Sequence, residues 1–129
     1  MASPDTCPTI LVIGSLNMDL VTHTPRIPVG GETLLAHTHG FHTGNGGKGA
    51  NQAVAVARLG GNSVRCSMVG MVGDDAFGEK LRGGLEKEGV DVSGVGVEKG
   101  ESSGVATILV RLLFQHFLFG GILRHLFEF

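Results

Sequence analysis

Gly44 to Asn51, GNGGKGAN, sets four glycines and a lysine directly before an alanine-rich apolar stretch. Glycine tolerates positive φ and lacks the Cβ that would hold a ligand away from backbone, and a helix starting here would offer unpaired N–H donors. Hydroxyls and anions are both suitable guests for such a loop. Two nucleotide-binding patterns can be tested against it. A Walker A loop needs glycine five residues before the Gly-Lys pair and Ser or Thr after it, where this chain carries His42 and Gly49, so the stretch is not a P-loop. Gly44, Gly46 and Gly49 do match the dinucleotide pattern, and acids follow at Asp74 and Asp75. The stretch before it, AHTHGFHT, does not read as the buried central strand which that pattern requires.

A second constellation is GSLNMD, Gly14 to Asp19, after a short β-branched run. Asn17 and Asp19 are two residues apart, so extended backbone points them the same way, and ligands of open α/β sheets gather beyond the carboxyl ends of strands. Asn and Asp beside glycine are also ordinary turn formers, which is the competing reading of this pair. His23, His37, His39 and His42 suggest a metal site, since His37 and His39 would share a strand face. Apart from Glu32, no acid or cysteine joins them at a ligand spacing, so a solvated strand edge and no metal is expected. Asp74 and Asp75 could be paired carboxylates for catalysis. Acids before a helix are favoured by capping and by the macrodipole, and a cap is the expected role.

These residues need elements to position them. Thr9–Gly14 reads as a strand buried on both faces of a sheet. Leu20–Thr43, punctuated by Pro25, Pro28, Gly30 and Gly31, reads as short exposed strands suited to a flap. Ala50–Leu59 is apolar nearly all round and is expected to be a buried helix stopping at a left-handed Gly60. Ser63–Val69 is a strand. Asp74 or Asp75 then caps an amphipathic surface helix whose Phe77, Leu81 and Leu85 recur every fourth residue before Gly89. Val90–Val97 and Gly104–Val110 complete the strands. Strands alternating with helices predict an α/β fold with a largely parallel sheet.

The 129 residues are 42% hydrophobic with a net charge of -2, as in a small globular domain, and the 10 basic and 12 acidic residues form no cluster that would attract nucleic acid or an anionic membrane. A small-molecule partner is expected, with no nucleic acid and no membrane. Cys7 and Cys66 imply no disulfide framework, which points to a reducing cytoplasm. Residues 1–8, with Asp5 and two prolines and no basic-then-apolar pattern, read as a disordered leader and not a signal peptide.

GSLNMD, PRIPVGGET, GGKGANQA running on to Gly60 and Gly70, and GMVGDDAFG, in that order and spacing, resemble the ribokinase and phosphofructokinase B family of carbohydrate kinases, and within it the ribokinases. The likeness covers roughly residues 10 to 110. It implies a Rossmann-like α/β ribokinase fold with a small β lid, truncated after roughly the first third. It also implies ATP-dependent phosphorylation of D-ribose, or of a similar small sugar, to the 5-phosphate. In that family Asn17, Asp19, Gly46, Gly47, Lys48, Gly49 and Asn51 would hold sugar hydroxyls. The lid strands present edges able to add to another sheet, so a homodimer through them is a further expectation. ATP, Mg2+ and a monovalent cation would be used, at sites that this chain does not contain. The family's catalytic base sits in a Gly-Ala-Gly-Asp loop absent here, so no catalytic residue is assigned and the chain is expected to be inactive alone. The division is therefore a leader (1–8), a ribokinase-like part (9–110) and a divergent apolar tail (111–129). The tail carries five of the seven phenylalanines and stops resembling the family at once. Gln115, His116, Arg124, His125 and Glu128 interrupt it too often for a membrane span.

Overall fold

A computed structural model describes residues 7–111. Its elements are β1 (Thr9–Ile13), β2 (Asn17–Thr24), β3 (Phe41–Gly46), α1 (Lys48–Gly60), β4 (Arg65–Gly73), α2 (Ala76–Lys87), β5 (Asp91–Glu98) and β6 (Gly104–Arg111). A 3-10 turn over Gly61–Ser63 follows α1. The apolar tail lies outside the described residues, as does the leader up to residue 6. Arg111, placed in the tail from sequence, belongs to β6.

The strands form two sheets. One is parallel, in the order β1-β4-β5; the other has the order β3-β2-β6, with β2 antiparallel to β3 and parallel to β6. The α/β class stands. The sequence order alone left β6 beside the other parallel strands, whereas it completes the lid sheet through Asn17↔Gly104 to Thr24↔Arg111.

Both helices pack on one face of the parallel sheet. Cys66, Met68 and Val72 alternate along β4 onto that face, and Leu81 and Leu85 of α2 meet them, with Phe77 packed at the side. The four-residue spacing of α2 thus marks its buried stripe, as expected. α1 departs from expectation. Only Gly49, Ala50 and Ala53 are buried, Leu59 is 90% exposed, and the left-handed residue at its end is Gly61 (φ 49) and not Gly60.

β1 also differs from the doubly buried strand expected. Val12 faces the helices and is buried, while Leu11 and Ile13 point the other way and are 55% and 74% exposed. Register aligns Leu11 with Ser67 and Ile13 with Val69, so these side chains share one sheet face with Met71. Among the described residues nothing covers that face.

Candidate functional site

β2 begins three residues after β1 ends. Leu16 and Met18 are buried and Leu20 packs against the core, so the two-residue period of a strand puts Asn17 and Asp19 on the opposite face. The turn-former reading of this pair is thereby replaced. Both residues are strand residues, paired on each side: Asn17 with Gly46 and Gly104, Asp19 with Gly44 and Ala106. Their four neighbours are glycine or alanine, so no large side chain flanks the two polar groups on that face. The Asp19 carboxylate folds over Gly46, where no Cβ would fit, and the Asn17 amide lies over Gly104 in the same way. Neither ion pair among the described residues, Arg26–Glu32 or Arg58–Glu88, engages Asp19.

The glycine loop closes the other side. Gly47 caps α1 with φ 97, a conformation that favours glycine. A Cβ there would meet Ser15 O, Asn17 N and Leu16 Cα, so the vacant space at Gly47 is filled by the β1–β2 connection. The expectation that a side chain at Gly47 would enter ligand space is corrected accordingly. Gly49 likewise faces inward. Its Cβ would stand 2.7 Å from Gly14 Cα, and this approach lets the first turn of α1 sit on the end of β1. Ala50 N donates to Ser15 O at 3.1 Å and Asn51 N to Gly47 O at 2.9 Å, which ties the helix mouth to the start of β2. Lys48 and Asn51 are exposed at that mouth.

Of the residues expected from sequence, the structure therefore groups Asn17, Asp19, Gly46 and Gly47, sets Lys48 and Asn51 at the adjoining helix end, and assigns Gly49 to packing. Gly104 and Ala106 were not anticipated. Their signal is faint but physical: small residues at alternate positions of a β-branched strand mark a face that something approaches closely.

The other candidates resolve differently. The dinucleotide reading fails because Gly44 and Gly46 lie within β3, an antiparallel lid strand with exposed residues, instead of in a loop after a buried parallel strand. Asp75, not Asp74, is the cap of α2, accepting from Gly78 N at 2.8 Å. Hydrogen bonds from the Ser103 side chain, then from the Ser103 and Gly78 amides, hold its carboxyl below the usual carboxylate range. His23 and His42 stack across β2 and β3 with ring centroids 5.7 Å apart. Among the described residues no group of three His, Cys, Asp or Glu could hold a metal ion. Burial raises the Cys66 thiol, and both Cys7 and Cys66 are free. No helix among the described residues is long and apolar enough to cross a membrane.

A polar pair on a lid strand, facing a glycine loop at a helix mouth beside a parallel sheet, is the arrangement of a small-molecule site between a core and a lid. The model of the pfkB family of carbohydrate kinases matches residues 8–112, and the chain belongs to that family. The ribokinase of Schizosaccharomyces pombe is 55% identical over 102 residues, covering 78% of this chain and 32% of that protein. The deoxyribokinase of Salmonella typhi is 46% identical over 101 residues, 78% of this chain and 31% of the relative. Among solved structures, Arabidopsis thaliana ribokinase complexed with ribose and ATP superposes with a TM-score of 0.68 at 35% identity, covering 81% of this chain and 32% of that one. The mixed α/β architecture is the ribokinase fold of these neighbours. The chain spans about a third of the length of the relatives it matches.

Proposed function

We propose that residues 9–110 form the sugar-binding part of a carbohydrate kinase that transfers a phosphoryl group from ATP to D-ribose or a close relative. The observation that carries this reading is the Asp19 carboxylate, set beside Asn17 among Gly44, Gly46, Gly104 and Ala106 with no ion-pair partner among the described residues. A carboxylate and an amide can each hold neighbouring hydroxyls through two hydrogen bonds, and the charge-assisted ones are the stronger. Gly46 lets the Asp19 carboxylate lie close over the lid strand, Gly47 lets the helix mouth sit against the β1–β2 connection, and Lys48 and Asn51 supply further polar atoms at that mouth. The ribokinase and deoxyribokinase relatives, and the ribose in the Arabidopsis complex, support a pentose.

Phosphoryl transfer rests on positioning and charge stabilisation around the phosphates and their metal ions. Among the described residues no group of three His, Cys, Asp or Glu could hold a metal ion for such a centre. No catalytic step is assigned to them. The base and the nucleotide site are not assigned to the described residues, and the free Cys7 and Cys66 thiols support a reducing, cytoplasmic setting.

Calorimetric titration of the purified chain with D-ribose, 2-deoxyribose and fructose is expected to give heat with ribose first. The same preparation with ATP is expected to form no ribose 5-phosphate above a blank. A folded chain that binds none of these sugars would remove the reading. Binding of fructose in preference to ribose would move it to another sugar kinase of the family.

The lid carries a second reading. Phe41 on β3 and Val105 and Leu109 on β6 are exposed large apolar residues on one face of the three-stranded lid sheet and Ile108 is exposed on the other, and among the described residues the sheet has two open edges able to pair with a second copy of the lid. Sedimentation equilibrium is expected to show a dimer that Ile108→Lys dissociates. A wild-type monomer at all concentrations would end this reading.

A further inference from the structure

Four hydrogen bonds meet at the pair formed by Asp75 and Ser103, the latter in the connection that leads from β5 to β6. Gly73 N, at the end of β4, donates to Ser103 Oγ at 3.0 Å. Ser103 Oγ donates to Asp75 Oδ1 at 2.7 Å, and Ser103 N donates to Asp75 Oδ2 at 2.9 Å. Asp75 Oδ1 also accepts from Gly78 N at 2.8 Å. Both carboxylate oxygens and both polar groups of Ser103 are used, and Ser103 is only 5% exposed.

A helix cap requires just one of these bonds, the one to Gly78. The others reach a residue 28 positions away in sequence. They close a bracket around three segments that have no side-chain room to separate. A Cβ at Gly73 would strike the backbone of Glu101 to Ser103, and one at Gly78 would strike Gly73 O.

Ser103 is joined directly to Gly104, the first residue of β6. Gly104 pairs with Asn17 and lies directly under its amide, which occupies the place where a Cβ on Gly104 would stand. One peptide unit thus separates Ser103 from the residue that lies under the Asn17 amide.

We propose that Ser103, clamped by Asp75, is a positioning residue for the sugar site: it fixes the entry of β6 so that Gly104 holds the Asn17 side chain at the angle the sugar requires. The proposal rests on the sugar-binding reading of Asn17 and Asp19. Neither Ser103 nor Asp75 touches the sugar; they act through Gly104 and Asn17.

The test uses the 129-residue chain with Ser103→Ala and Ser103→Thr, read by amide hydrogen exchange and by D-ribose titration. Ser103→Ala leaves the Asp75–Gly78 cap in place but deprives Gly73 N of its acceptor. Exchange at Met18, Asp19, Val105 and Ala106 is expected to quicken about tenfold, with the β1–β4 ladder unchanged and ribose affinity about tenfold weaker, as for loss of one buried hydrogen bond with a partner left unsatisfied. Ser103→Thr keeps the hydroxyl and is expected to restore both readouts. Unchanged exchange at these amides, or unchanged ribose affinity with the wild type binding normally, would overturn the proposal. So would uniform quickening across both sheets, which marks a role in general stability only. A wild-type chain that binds no ribose takes away the sugar reading and this proposal with it. In that event the exchange data still tell whether the bracket holds β6 on β2.

Discussion

Gly47→Val is expected to abolish the cooperative thermal transition of the chain. At φ 97 a residue with a Cβ is strained, by about 1–3 kcal/mol and more for a β-branched one. The larger effect is steric. The new Cβ would lie 2.9 Å from both Asn17 N and Leu16 Cα, and closer still to Ser15 O; all three are backbone atoms tied into β2 or its approach, and no side-chain rotation relieves the contact. To make room, α1 must lift from β1, which breaks the Ala50–Ser15 bond and separates Gly49 from Gly14. Since a small domain has only about 5–15 kcal/mol of stability, these losses together are expected to unfold it. Circular dichroism on heating checks this, with Gly47→Ala as a milder companion. A Gly47→Val chain that melts near the wild-type temperature would show that the loop can relax, and would remove the strained cap from the account of the site.

The second large effect is expected on binding alone. Asp19→Ala removes a charged acceptor that has no ion-pair partner among the described residues, so its loss is expected to leave the melting temperature almost unchanged, as for most surface substitutions. Ribose affinity is expected to fall about 10- to 150-fold, the equivalent of about 1.5–3 kcal/mol for a hydrogen bond to a charged group. Asp19→Asn keeps the shape and the acceptor oxygen without the charge, and is expected to fall between Ala and the wild type. Calorimetry alongside a melting curve separates the two quantities. An Asp19→Ala chain that binds ribose as tightly as the wild type would withdraw the carboxylate from the sugar site.

Local features of this fold were legible in the residues that carry them. The spacing of Phe77, Leu81 and Leu85 announced the buried stripe of α2, and the acids before it announced the cap, because both signals sit within one helical turn of their effect. Asn17 and Asp19 were legible as a pair on one face for the same reason. That they stand on a strand and not in a turn was not, since what keeps Asn17 extended is pairing with Gly46 on one side and Gly104, 87 positions later, on the other.

β6 shows the limit most plainly. Its β-branched composition identifies a strand, but composition carries no record of which sheet accepts it, and the partner it pairs with, β2, lies 87 positions earlier at Asn17↔Gly104. β1 shows a different limit. An unbroken apolar run reports that both faces suit burial, and only the structure reports that helices among the described residues reach one of them. Gly47 was recognised as a position without room, yet the direction of the missing Cβ, toward Ser15 and Asn17, follows from a backbone angle that no residue type encodes.

The register of the two sheets also governs the order in which they can form. β4 lies between β1 and β5, so the first ladder of the parallel sheet joins Thr9 to Arg65, and β2 meets β6 only when Asn17 reaches Gly104. The entropy of closing such loops must be met before any ladder bond is made, which makes non-local parallel pairing slow. On a ribosome adding about 5–20 residues per second, β2 and β3 can form their antiparallel hairpin several seconds before β6 has emerged. For that interval one edge of β2, Asn17 and Asp19 included, is an open strand. Charged side chains on an exposed edge strand disfavour pairing with another chain, and Asp19 places one such charge on this edge.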